Sequence, residues 1–218
     1  MKVPPKIIER DITKDMIEEA KKEAKEQGVL RNSFTRGDRT VSSILAEIMF
    51  CKYSGAKRES TYDYDCILDG KKIDVKSKEC SSIPMPMYEV GVPVSQEKQQ
   101  CDTYAFCRIY KSLEKGWILG FMTKNEYYEK AYPCEAGQVD DNGMKYKAPS
   151  WNMRIGELHD IEYLKGGIFM EKDTCEVRTP CPKKVKEEES LTGKLWHEVE
   201  REEIEEREEE DECETDKR

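Results

Sequence analysis

Histidine is scarce in this 218-residue chain: only His159 and His197 are present. Neither has an evident Ser or Cys partner nearby, so a nucleophile–histidine hydrolase is not indicated. No CxxC pair occurs among the nine cysteines, and Cys175, Cys181, His159 and His197 match no zinc-site spacing. No apolar run approaches the ~18 residues of a membrane-spanning helix. The opening stretch "MKVPPKIIERDITKD" lacks the apolar segment of a secretory signal. There are no internal repeats, and no zinc-finger, helix-turn-helix or RNA-recognition signature, so sequence-specific base reading is not indicated. Scattered cysteines inside apolar runs such as "IMFCKY" and "YAFCRIY" behave as small hydrophobes. These features favour free thiols and a cytoplasmic setting, the host cytoplasm if the source is viral, with no membrane partner.

Charge is abundant and unevenly placed. The formal net charge is −9, yet Lys186 to Arg218 alone holds 16 acids against 6 Lys/Arg. The remaining residues carry 30 acids and 31 bases and are nearly neutral. The chain therefore reads as a folded domain over residues 1–184 and an acidic tail over 185–218, disordered or partly helical. Such a tail could solubilise the chain, occupy a basic groove as an autoinhibitor, or contact a basic partner surface. The overall pI does not exclude a nucleic-acid partner, because binding depends on local basic patches.

Along the folded part, "TKDMIEEAKKEAKEQ" predicts a helix capped by Thr13 and stopped at Gly28. A second helix is expected from Val41 to Tyr53, burying Ile44, Leu45, Ile48, Met49 and Tyr53, with Glu47 among them. "DTYAFCRIY" and "WILGFMT" read as strands, "TKNEYYEKA" as a helix capped by Thr123, "NMRI" as a short edge strand and "GELHDIEYLKGG" as a last short helix. Residues 79–101 and 132–151 read as connections without a clear period. The order implies an α/β (α+β mixed) domain with a central mixed sheet flanked by helices.

The informative stretch is "YDYDCILDGKKIDVKSK", residues 62–78. Asp69-Gly70 is a strong hairpin turn signal. With that turn, Cys66 faces Ile73, Asp65 faces Asp74 and Asp63 faces Lys76. One face carries Tyr64, Cys66, Leu68, Ile73 and Val75, and the other carries Asp63, Asp65, Asp74 and Lys76. Like charges directly opposed destabilise a sheet. A solvated polar face is one explanation. The other is a divalent cation, since hard cations take carboxylate oxygens. The Val75 carbonyl offers a further oxygen, and Lys76 a fixed positive charge on the same face.

The segment "DYDCILDGKKIDVKSK" resembles the core motif of the PD-(D/E)XK nuclease superfamily, with Asp65 as the first acid, Asp74 as the second and Lys76 as the lysine. Asp63 competes with Asp65 for the first place. Glu47, on the helix before the hairpin, matches the acid that family often carries there. "RNSFTRGDRTVSSILAEIMFCKY" and the later strands resemble a subgroup frequent in phages, over about residues 15–165. The resemblance implies a restriction-endonuclease-like core and a Mg2+- (or Mn2+-) dependent endo- or exonuclease. In that reading Asp65, Asp74, Glu47 and the Val75 carbonyl hold metal, while Lys76, Glu47 and Asp74 act in catalysis. Gln96, Lys78, Arg36 and Arg39 would contact the nucleic acid, most directly DNA, and a homo-oligomer is conceivable. A nucleic-acid-binding module that keeps the fold without turnover is the alternative.

Overall fold

Asp69 and Gly70 both adopt left-handed backbone, with φ of 48° and 78°. Two consecutive positive φ values are what a tight hairpin turn demands. They join β3 (Cys66–Leu68) to β4 (Lys71–Cys80), in the register Cys66↔Ile73, Ile67↔Lys72 and Leu68↔Lys71. The computed structural model of the chain describes residues 3–27, 41–59, 61–139 and 145–165. All of them fall in one compact unit, Met1–Met170. The expected domain boundary at 184/185 and the acidic tail lie outside the described residues.

The hairpin belongs to a six-stranded mixed sheet. It is completed by β1 (Ile8–Asp11), β2 (Lys57–Arg58), β6 (Thr103–Tyr110) and β7 (Lys115–Thr123). The strand order is β1-β7-β6-β4-β3-β2. β4 and β6 pair in parallel and the other neighbours are antiparallel. A parallel pair needs a crossover. Here it carries β5 (Glu89–Pro93) and a short 3-10 turn at Val94–Gln96. β5 then builds a second, antiparallel sheet with β8 (Tyr132–Cys134) and β9 (Ser150–Arg154), in the order β5-β9-β8. The "NMRI" stretch is thus in the middle of a sheet, not on an edge, and the regions 79–101 and 132–151 are not merely connections. Short strands interrupted by proline and glycine have too few residues to display a period of two.

Each face of the central sheet has its own core. On one side α1 (Lys14–Gln27) packs on α2 (Val41–Ser54), and α2 packs on β4 and β6. Ile44, Ile48, Phe50, Ile73, Val75, Ala105 and Ile118 are buried there. Every residue from Ile44 to Cys51 is buried, so α2 is covered all round rather than along one stripe. Thr13 Oγ1 accepts from Met16 N at 3.3 Å, as its capping role requires, while Gly28 lies outside the described residues. On the other side Tyr104, Phe106, Trp117 and Leu119 meet Val90, Val92 and Met153 of the second sheet and Tyr127 of α3 (Lys124–Lys130). Thr123 caps α3 by accepting from Glu126 N at 3.3 Å.

β7 switches faces part-way along. Ile118 and Phe121 point to the helical core, while Trp117, Leu119 and Met122 point to the other. The extra residue is a bulge, marked by the register shift opposite Phe106 and Cys107. Gly120 sits at it with φ of 143°, and a Cβ there would come within 2.5 Å of the His159 carbonyl. That close approach lets Phe121 and His159 exchange backbone hydrogen bonds at 2.9 and 3.0 Å, which seats α4 (Ile161–Lys165) against the helical core. Among the described residues no helix is long and apolar enough to cross a membrane.

Candidate active site

β4 alternates between the two cores. Ile73 and Val75 enter the helical one, and Asp74 and Lys76 go to the other face. Parallel pairing puts Asp74 beside Tyr104 and Lys76 beside Phe106. Asp65 lies one residue before β3. Its N–H donates to the Ile73 carbonyl at 2.9 Å, and its Oδ2 accepts from Val75 N at 2.7 Å. The two acids are therefore not a directly opposed cross-strand pair. They come together because the Asp65 side chain turns across the end of the ladder, close enough for Asp74 to raise its pKa.

Both acids are nearly shut off from water, Asp65 at 6% exposure and Asp74 at 5%. Burial pushes the Asp65 carboxyl well above the ordinary carboxylate range, and the charges of Glu47 and Asp74 push it further. The Val75 N–H opposes this but does not outweigh it. Lys76 Nζ lies 2.5 Å from Asp74 Oδ2. That ion pair lacks hydrogen-bond alignment, so Asp74 Oδ2 is buried without a hydrogen-bond partner.

Lys76 is held from the far side by two amides. Its Nζ donates to Gln96 Oε1 at 2.7 Å and to Gln99 Oε1 at 3.1 Å, and it lies 5.6 Å from the centre of the Tyr104 ring. Gln96 comes from the 3-10 turn of the crossover. Gln99 is itself buried and donates from Nε2 to the Tyr62 carbonyl at 2.8 Å. Sequence reasoning passed over Gln99, because a glutamine in a polar loop carries no signal until the crossover folds back on β4. Gln100, its neighbour, is exposed and donates instead to the Lys98 carbonyl at 2.9 Å.

Glu47 is 2% exposed and close enough to Asp65 to raise its pKa. Its Oε2, however, accepts from Arg58 Nη2 at 2.8 Å and Nε at 3.3 Å. Arg58 also binds Glu23 of α1 at 2.5 and 2.8 Å. This Glu23–Arg58–Glu47 triad is a second feature the sequence concealed, since the three residues are far apart in the chain. Neighbouring bases are likewise engaged by acids: Lys52 with Glu19 at 3.9 Å and Lys57 with Glu59 at 3.0 Å. Lys78 is exposed on β4, two residues beyond Lys76. Arg36 and Arg39 lie outside the described residues.

Asp63 does not face Lys76. Its Oδ1 accepts from Gln100 N at 3.0 Å, so it fastens the loop before β3 to the crossover. Tyr64 does not join Cys66 in the helical core. It packs against the opposite cluster and donates from its hydroxyl to Glu59 Oε2 at 3.0 Å. Strand alternation simply stops before Cys66. His159 Nε2 is 2.6 Å from Glu126 Oε2, on a different part of the molecule.

The residues fit a single hard cation better than an all-protein cage. Among the described residues no three His, Cys, Asp or Glu side chains converge as a metal-ion cage. Mg2+ usually takes one or two carboxylates and fills its other positions with water and phosphate oxygens. Asp65 and Asp74, buried side by side, offer two carboxylates of that kind, with Asp74 Oδ2 ion-paired to Lys76 but without a hydrogen bond. In comparisons with known proteins, no family model and no curated sequence matches the chain.

Proposed function

We propose that the chain is a metal-dependent phosphodiesterase acting on nucleic acid, with DNA as the substrate its resemblance to PD-(D/E)XK nucleases implies. The observation that carries this reading is a pair of buried, interacting acids, Asp65 and Asp74, beside a lysine gripped by two glutamines. Such a pair has no evident structural use. With both acids ionised its like charges repel in a buried setting, and a bound cation would offset that repulsion.

Asp65 and Asp74 would hold Mg2+ or Mn2+, with the Val75 carbonyl as a further oxygen. Bound there, the ion would supply an activated water and stabilise charge on the phosphoryl oxygens. The chain's own groups do the rest. Lys76 is an ammonium with three donors, directed by Gln96 and Gln99 to one position beside the acids. When a phosphate arrives, one of these amide acceptors gives way to a phosphoryl oxygen. Lys76 then offsets the negative charge that grows as water oxygen bonds to phosphorus and the bond to the leaving sugar oxygen breaks. Gln96, the more accessible amide, and Lys78, further along β4, would contact flanking phosphates. Glu47 acts from behind: held by Arg58, it orients the acid pair through its charge on Asp65 rather than as a free ligand.

The grip of Arg58 on Glu47 also favours a second reading, a nucleic-acid-binding module without turnover. One experiment separates them. Single- and double-stranded DNA are incubated with Mg2+ or Mn2+ and the wild-type chain, Asp74→Ala or Lys76→Ala. The nuclease reading predicts metal-dependent cleavage that falls roughly 100-fold or more in each variant. Equal cleavage by all three proteins, or none by any, would sink it. Tight binding without cleavage by the wild-type chain would establish the module instead.

A further inference from the structure

The loop before β3 is built as a closed turn. Thr61 N donates to the Tyr64 carbonyl at 2.8 Å, and Thr61 Oγ1 donates to the same oxygen at 2.7 Å. Thr61 Oγ1 in turn accepts from Asp63 N at 3.3 Å and Tyr64 N at 3.0 Å. Two bonds then fasten this turn to the crossover: Gln99 Nε2 to the Tyr62 carbonyl at 2.8 Å, and Gln100 N to Asp63 Oδ1 at 3.0 Å. The same Gln99 amide accepts from Lys76 at 3.1 Å. One side chain thus spans from the lysine of the acid pair to the backbone of Tyr62.

The side chain of Tyr62 contrasts with its backbone. The residue is 74% exposed, while Asp65, three residues on, is almost fully covered. An aromatic ring left in water contributes little to the fold, so stability gives no reason for a tyrosine here. A rigid backbone with a free aromatic face is instead a pre-organised contact, since little freedom is lost when something stacks on it. One amide and two hydrogen bonds tie its backbone to Lys76.

We propose that Tyr62 is a stacking platform for an unpaired nucleobase next to the phosphate at Asp65, Asp74 and Lys76, so that the ligand is a single-stranded nucleic acid or a frayed end. The proposal rests on the phosphodiesterase reading above and adds the strand state of the substrate to it. Every base has a π face, so such a platform tolerates any sequence. That agrees with a chain that carries no base-reading motif. Bases inside a duplex are stacked on one another and cannot use it without being flipped or frayed.

The test is binding of a labelled single-stranded oligodeoxynucleotide, followed by fluorescence anisotropy at one fixed salt concentration, with Ca2+ in place of Mg2+ and strand integrity checked on a gel. Wild type, Tyr62→Ala and Tyr62→Phe are compared, each also with an abasic oligonucleotide of the same length. Tyr62→Ala should bind the intact strand about 5- to 100-fold more weakly, with Tyr62→Phe within about twofold of wild type. The abasic strand should bind wild type more weakly but lose little further in Tyr62→Ala. Unchanged affinity in Tyr62→Ala, with Mg2+-dependent cleavage intact in the wild-type chain, overturns this proposal and leaves the nuclease reading standing. Failure of the wild-type chain both to bind and to cleave overturns the two together.

Discussion

Asp65 carries the electrostatic strain of the site, and its titration has a definite sign. Its folded pKa is raised by burial and by the charges of Glu47 and Asp74. In the unfolded chain an aspartate titrates near about 4. Between those two values the folded state holds a proton that the unfolded state has lost. Stability therefore falls as pH rises through that window. The contribution is complete below the unfolded value and gone once pH passes the raised folded one. In the absence of divalent metal, the Tm of the wild-type chain relative to Asp65→Asn should decline from about pH 4 toward neutrality. Thermal melts in a pH series decide this, and a difference that stays flat or rises would contradict the buried acid pair. Asp63 is the counterexample at the same scale. It belongs to the same acidic stretch, yet its carboxylate serves the Gln100 N–H and keeps a loop in place. The sequence favours Asp65 over Asp63 through a cross-strand pairing with Asp74, which is not the contact that brings the two acids together. What separates them is where strand alternation ends, one residue after Asp65.

At the level of elements, the hairpin was legible because the Asp-Gly turn fixes its register and period-two alternation fixes its faces. Helices α1 and α2, strands β6 and β7 and the cap at Thr123 were legible for similar local reasons. The second sheet was not, since β5, β8 and β9 are short and interrupted, and each exists because it meets the aromatic face of β6 and β7. Gln99 and Arg58 stayed hidden for a related cause: their partners are 23 and 11 residues away or more, joined only by tertiary folding. Arg58 is the tie between elements. From the short strand β2 it bonds Glu23 on α1 and Glu47 on α2. Removing it leaves Glu47 buried without its guanidinium. Arg58 and Glu23 keep about a fifth of their side-chain surface in solvent, so the cost sits at the low end for a buried network. Arg58→Ala should lower stability by about 3 kcal/mol, and Arg58→Ala combined with Glu47→Gln should recover part of that loss. Denaturant unfolding of the single and double variants measures it. A single variant as stable as wild type would show that the triad does not brace α2.

The described unit is a mixed sheet covered by α1, α2 and α4 on one face and by a smaller sheet with α3 on the other. Its parallel β4–β6 pair places the crossover loop over the end of β4, and this brings Gln96 and Gln99 to Lys76. The fold thus serves the site: a rigid sheet holds Asp74 and Lys76, the hairpin loop brings Asp65, and α2 brings Glu47. The central claim is that Asp65 and Asp74 form a cation site. Isothermal titration of Mn2+ into the wild-type chain, repeated across a pH series, tests it most directly. The account predicts a single binding event that tightens as pH rises, because a raised Asp65 pKa makes the proton compete with the metal, and loss of that event in Asp65→Asn and Asp74→Asn. Absence of binding, or binding that survives both substitutions unchanged, would contradict it.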